Sequence, residues 1–394
     1  MPRLFFFLCL LLILLPGTGR AGEIVLGMST ALSGPTAELG QAMRDGVELG
    51  LERVNQQGGI NGQRLRLIAL DDGYEPARTA PNMRRLIEEE KVLAIIGNVG
   101  TPTAIAALPL VREHRVLYFA PFTGAGVLRH EPPERYVINF RASYGQEIAT
   151  MIRALVEDAG LAPEEIAFFT QRDGYGDAGF AGGLAALRRH GLTDERQVLH
   201  VRYPRNTLAV ENALADILLA ERTPRAIIMV GAYAPCAKFI RLARQAGLNS
   251  LMLNVSFVGG DFLARELGPE IEGVVVTQVV PHPRQRELPL VADFRRDIET
   301  YVQDMAPSFP ALEGYIAMRL LAVALAEIDG EPSREGLVEA LEALGEFDLG
   351  LGRKLFLGPK RHQASNQVWP TVLRAGGLEP LDETGIAALV PVAP

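Results

Sequence analysis

The sequence predicts an α/β protein made of two doubly wound parallel-sheet lobes. Three observations carry this. The chain has 394 residues, more than one ordinary core accommodates. Strand and helix signals alternate, which implies parallel strands joined by right-handed crossovers. The alternation also runs twice, once to about Ala120 and again from about Tyr136.

In the first run, Glu23 to Thr30 reads as a strand with Ile24, Leu26 and Met28 on one face. Leu32-Ser33-Gly34-Pro35 is a loop. Met43, Val47, Leu51 and Val54 then recur at helical spacing, and Gly58-Gly59-Ile60-Asn61-Gly62 stops that helix. Leu65 to Leu70 is a strand and Ala77 to Glu90 a helix. Val92 to Ile96 is a buried strand ending in the loop Gly97 to Thr103. Ala104 to Glu113 is helical, and Val116 to Ala120 is extended.

The second run begins with extended Tyr136 to Phe140 and a helix over Gln146 to Glu157. Strands follow at Glu165 to Thr170, Val198 to Tyr203, Ala226 to Val230, Leu251 to Val255 and Val274 to Val280. A helix follows the first of these, and another covers Val210 to Leu219. Further helices fall at about Leu288 to Val302, Leu312 to Ile328 and Glu335 to Leu344. Trp369 to Leu373 closes the chain as a strand or hairpin.

The N-terminus reads as a cleavable leader. Arg3 is its one charge before an unbroken apolar run, Leu4 to Leu15. Pro16 and Gly17 break the run, and Gly19-Arg20-Ala21 places small residues before a cut after Ala21. The run is well short of the ~20 residues that span a bilayer, and no later segment reads as a span. Cys9 leaves with the leader, so Cys236 is alone and reads as a buried structural thiol. Formal net charge is −8, which argues against nucleic acid as a partner.

Enzyme motifs are missing from the sequence. It has no nucleophile elbow, phosphate-binding P-loop or zinc-protease helix, and no dinucleotide fingerprint after the first strand. The six histidines have no metal or triad spacing, so neither cofactor nor metal is expected. His362, in Lys360-Arg361-His362-Gln363, reads as part of a solvated turn.

Ligands of doubly wound sheets bind beyond the carboxyl ends of the strands. The loop Asn98 to Thr103 offers backbone N–H groups and the Thr101 and Thr103 hydroxyls to an anion. It reads equally as an ordinary helix cap. Pro121-Phe122-Thr123-Gly124 lies at the next strand end, as an approach to ligand or a flexible turn. Tyr175 and Tyr233 stand at strand ends of the other lobe, to cover a ligand or to pack.

These residues resemble the leucine/isoleucine/valine-binding protein family of periplasmic receptors, type I binding proteins that serve ABC transporters. The resemblance runs from Ile24 to about Leu373. It is carried by Leu32-Ser33-Gly34-Pro35 with Gly40, Val54-Asn55-Gln56-Gln57-Gly58-Gly59-Ile60-Asn61-Gly62, and Asp71-Asp72. Ile96-Gly97 with Thr101, Pro121, Tyr175-Gly176 and Gly231-Ala232-Tyr233-Ala234-Pro235 complete it.

The resemblance implies a three-strand hinge, with lobe 1 at 22–141 plus 281–355 and lobe 2 at 142–280 plus 356–394. It implies a monomer in the periplasm that docks on a membrane permease. Thr101 matches the hydroxyl that holds a ligand carboxylate. Phe122, Thr123 and Gly124 match the loop at the ligand's α-carbon, and Leu39 a pocket-lining position. Tyr175 matches a closing tyrosine, and Tyr233 or Ala234 a further contact. Two departures stand out. Ser256 occupies the position where the family often has a glutamate for an α-ammonium, and Gly124 replaces a hydroxyl side chain. Glu38 or Asp173 could supply the anion instead. Within the class of small amino acid-like, carboxylate or amide solutes, both departures count against an α-amino acid and favour a carboxylate or neutral polar solute with an apolar or aromatic body. A sensory receptor and an exported α/β enzyme are the alternatives.

Overall fold

The computed structural model describes residues 22–392; the leader expected over 1–21, with Cys9, lies outside the described residues. The first lobe begins with β1 (Glu23–Thr30), α1 (Ala37–Gln56), β2 (Arg64–Asp71), α2 (Pro76–Arg84), β3 (Ala94–Ile96), α3 (Thr101–His114), β4 (Leu117–Phe119) and β5 (Val137–Ile138). Its five strands are parallel in the order β2-β1-β3-β4-β5. The strand order reverses between β1 and β3, so a crevice opens there beyond the strand ends.

The second lobe holds α4 (Tyr144–Arg153), β6 (Ile166–Gln171), α5 (Gly174–Arg189), β7 (His200–Tyr203), α6 (Glu211–Leu218), β8 (Ala226–Val230), α7 (Tyr233–Gln245), β9 (Leu251–Asn254), α8 (Gly260–Leu267) and β10 (Val275–Gln278). These strands are parallel, and β6 and β8 flank the second reversal. The central strand β8 is Ala-Ile-Ile-Met-Val and buried throughout, as a strand covered on both faces requires.

The chain then returns to the first lobe as α9 (Pro289–Tyr301), α10 (Phe309–Ala326), α11 (Arg334–Ala343) and the hairpin β11 (Gly345–Asp348)–β12 (Lys354–Leu357). It crosses once more to add β13 (Trp369–Arg374) and β14 (Gly377–Pro380) antiparallel to the edge of the second sheet, and ends in α12 (Glu383–Ala388). That sheet is therefore mixed at one edge. Residues 362–365 hydrogen-bond to Asn139 and Phe140, so this stretch, placed with lobe 2 by the sequence division, extends the first sheet.

The helix α10 is long and apolar enough to cross a membrane, which the reading of the sequence missed. It is nevertheless buried over most of its length. It lies against α1 at close range. A Cβ on Gly46 would come within 1.9 Å of the Ala311 carbonyl oxygen, and one on Gly314 within 2.3 Å of the Met43 carbonyl oxygen.

The family-like block at 54–62 is a structural turn. Asn55 Nδ2 donates to Leu65 O, and Leu65 N donates to Asn55 Oδ1. Gly59 has a φ of 78°, and a Cβ there would lie 2.1 Å from Gln63 O. Asp71 holds the first loop by accepting from Leu32 N, Ser33 N and Ser33 Oγ. Asp72 accepts from Ser29 Oγ, Tyr74 N and Thr79 Oγ1. His362, expected in a solvated turn, is buried. Its Nδ1 lies 3.0 Å from Val137 O and its Nε2 3.0 Å from Glu342 Oε1. Pairing of this segment with β5 carries the ring inward.

Candidate functional site

The crevices of the two lobes meet. In the first lobe Gly100 caps α3, so Thr101 is its first helical residue. Thr103 spends its hydroxyl on Val99 O and Gly100 O. Thr101 does not cap the helix. Its Oγ1 lies 2.7 Å from Thr123 Oγ1 in the loop after β4. That loop is tied to β3 through Phe122 N donating to Asn98 O. Of the two anion-ready hydroxyls expected in this loop, Thr101 remains and Thr103 is consumed.

Gly124 has a steric reason. A Cβ there would sit 2.5 Å from the Tyr144 backbone nitrogen, which donates to Gly124 O. Tyr144 is fixed by a capping box in which Ser143 Oγ accepts from Gln146 N and Gln146 Oε1 accepts from Ser143 N.

The second lobe supplies the opposite wall. Asp173 caps α5 by accepting from Tyr175 N, which places Tyr175 at the helix entrance. The Tyr175 hydroxyl donates to Gly231 O at 3.4 Å. Its ring centre lies 5.2 Å from that of Tyr144 and 4.6 Å from that of Phe257. Phe257 in turn contacts Phe122 at 5.5 Å and Tyr74 at 6.0 Å, both from the first lobe. The two lobes are thus in direct contact through an aromatic cluster. Gly174 approaches so closely that a Cβ there would meet Ile105 Cδ1 at 2.8 Å and Thr101 Cγ2 at 3.8 Å.

Leu39 and Tyr233 lie elsewhere along the seam. Leu39, in the first turn of α1, reaches Gly259 of the second lobe. Tyr233 packs on Phe262, 5.6 Å between ring centres, and not in the Tyr144–Tyr175–Phe257 cluster. Glu38 and Asp173, the alternative anions, are engaged at the rim. Glu38 pairs with Arg265, and Asp173 accepts from Gln171 and lies 3.8 Å from Arg205.

Ser256 has an unexpected setting. Its backbone N–H and hydroxyl donate to Glu147 at 2.7 and 3.0 Å, and it accepts from Arg141. Arg141 follows β5 where the chain crosses between lobes, and it is 0% exposed. Its guanidinium lies 3.5 Å from Glu147 of α4, 3.5 Å from Glu313 of α10, and 4.8 Å from the Phe122 ring centre. Burial works against this charge, and Glu313 and Glu147 outweigh it, so the group stays charged. Burial pushes the Glu313 carboxyl up to about 7 against the pull of Arg141, and pushes the Tyr144 phenol up to about 12.

A family model described as periplasmic binding protein matches residues 23–377. The chain belongs to the periplasmic binding protein family. Within it, this binding protein is of the leucine/isoleucine/valine-binding type. A solved structure of a possible leucine/isoleucine/valine-binding protein from Rhodopirellula baltica is 50% identical, with a TM-score of 0.90 over 93% of this chain and 98% of that one. A substrate-binding periplasmic protein from Ralstonia solanacearum is 29% identical, with a TM-score of 0.83 over 91% of this chain and 100% of that one. The leucine-, isoleucine-, valine-, threonine- and alanine-binding protein of Pseudomonas aeruginosa is 23% identical over 82% of this chain and 83% of its own.

The sequence reading missed Tyr74, Arg141, Tyr144, Glu147, Phe257 and Glu313 of this binding protein. A signal existed for three of them. Glu147 falls on the apolar face of its helix with Ile148 and Met151, Glu313 is one of two charges in a largely apolar helix, and Arg141 is a lone charge at the end of an extended segment.

Proposed function

We propose that the chain is the periplasmic solute-binding component of an ABC uptake transporter, exported with cleavage after Ala21. It closes its two lobes on a small amino acid-like, carboxylate or amide solute and then docks on a membrane permease, with no covalent chemistry. Thr101, Phe122, Thr123 and Gly124 are its contacts from the first lobe and Tyr175 and Ser256 those from the second, with Leu39 and Tyr233 farther along the same seam. The observation that carries this reading is the buried Thr101–Thr123 hydroxyl pair at the α3 N-terminus, set where the two lobes touch. Hydrogen-bond donors at a helix start favour a carboxylate. The amino acids in the name of the Pseudomonas aeruginosa relative support an amino acid-like size.

Contacts made only in the closed form would shift an open/closed equilibrium toward it. Small-angle scattering of the mature chain tests this. Saturating ligand, found by a thermal-shift screen of amino acids, amides and carboxylates, should reduce the radius of gyration. An unchanged profile with a bound ligand would rule out lobe closure.

A further inference from the structure

We infer that the cleft selects a carboxylate anion carrying no α-ammonium group, with Arg141 as its counter-ion. This rests on the solute-receptor reading above and narrows its ligand class.

The argument begins with unmet hydrogen bonds. Arg141 is 0% exposed, yet its Nε and Nη1 have no hydrogen-bond partner among the described residues, and neither does the hydroxyl of Tyr144, also 0% exposed. A guanidinium only donates. Leaving its N–H groups buried and unpaired is costly, and a carboxylate oxygen would accept a charge-assisted bond from either of them. Tyr144 adds a third donor close by. The Thr101–Thr123 pair uses one hydroxyl proton in its own bond, and Thr123 lies beside the Tyr144 phenol. The unspent groups of Arg141 and Tyr144 are therefore donors, beside the unpartnered acceptors Asn139 Oδ1 and Asn254 Oδ1.

The carboxylates within reach of an ammonium already face Arg141. Glu147 Oε2 accepts from Ser256 N and Thr277 Oγ1, both at 2.7 Å; Oε1 accepts from Ser256 Oγ at 3.0 Å and faces Arg141. Glu313 faces Arg141 at 3.5 Å, and that guanidinium is the charge it already answers. An ammonium here would meet a like charge on Arg141, with both nearby carboxylates already paired to that guanidinium. The rings of Phe122, Tyr175 and Phe257 around these groups suit an apolar or aromatic body.

Calorimetry with two matched pairs tests the inference: 4-methylpentanoate against leucine, and 3-phenylpropanoate against phenylalanine. In at least one pair the carboxylate should bind 10-fold or more tighter than its amino acid, and in neither should the amino acid win. Equal or tighter binding of the amino acids would overturn the inference while leaving the receptor reading intact. No binding by any of the four would overturn the inference; if no solute in the wider screen binds either, the receptor reading falls with it. Arg141→Met should shrink the selectivity ratio toward 1, and Arg141→Lys should retain part of it. A purely structural role would change stability and leave that ratio alone. Should either variant fail to fold, the wild-type ratio still decides.

Discussion

Thr101 and Thr123 share one hydrogen bond across two loops, and that bond defines what each can offer a ligand. Thr101→Ala removes a hydroxyl and little volume, so folding should survive. We expect binding to weaken about 10- to 150-fold, the worth of ~1.5–3 kcal/mol for one donor to a charged group. Calorimetry on the variant, with an unchanged thermal melt for the free protein, checks this. The hydroxyls at this loop were legible in the sequence because a strand end, a Gly-rich loop and a helix start follow one another. Which of them stays free was not. Thr103 bonds back to Val99 and Gly100, and Thr101 does not. That choice depends on where Thr123 arrives from 22 residues away in the chain.

At the scale of elements, α1 and α10 show how packing outranks propensity. Gly46 and Gly50 lie in the middle of α1, where Ala would be favoured by ~1 kcal/mol as a helix former. The backbone of α10 occupies the space a Cβ would need at Gly46, 1.9 Å from Ala311 O. Gly46→Ala should therefore destabilise the protein, by about 1–3 kcal/mol from overpacking, despite its gain in propensity. Urea denaturation with an unchanged m-value measures the effect, and a stabilised variant would refute it. Strands and helices themselves were readable, because β1 and β8 have the bounds their apolar runs suggest. The hairpin β11–β12 was not, since each strand has only four residues, β11 without a buried one and β12 with two in alternation.

Across the whole molecule, Arg141, Glu147 and Glu313 join the two lobes near the crossing segments. Rim contacts add to this: Arg205 of the second lobe lies 2.6 Å from Glu75 of the first, and Arg265 pairs with Glu38. Exposed pairs of this kind each contribute ~0–1 kcal/mol, enough only to bias closure. The buried group has a larger signature with pH. Burial raises Glu313 from 4.5 to about 7 in the folded state. Between those values the folded chain keeps a proton that the unfolded chain releases. Its contribution to stability is therefore greatest at low pH and falls as pH rises through 7. His200 acts in the opposite direction: burial lowers it to about 4, so stability is lost on acidification below about 6.5. Glu313→Gln isolates the first effect. The stability of wild type relative to the variant should decline by at most about 3 kcal/mol from pH 4.5 to 8. Urea midpoints at matched pH test this, and a flat difference would contradict it.

The amino-acid sequence by itself determined the α/β class, the doubled alternation and the strand-end loops. Those features depend on local periodicity and on glycine at turns, which neighbouring residues specify. Tertiary structure decided which charged side chains share the seam. Arg141 and Ser256 are 115 residues apart, and Ser256 and Glu147 109. A buried charge is tolerated only beside its partner, and that pairing exists only after both sheets have formed and the lobes have met.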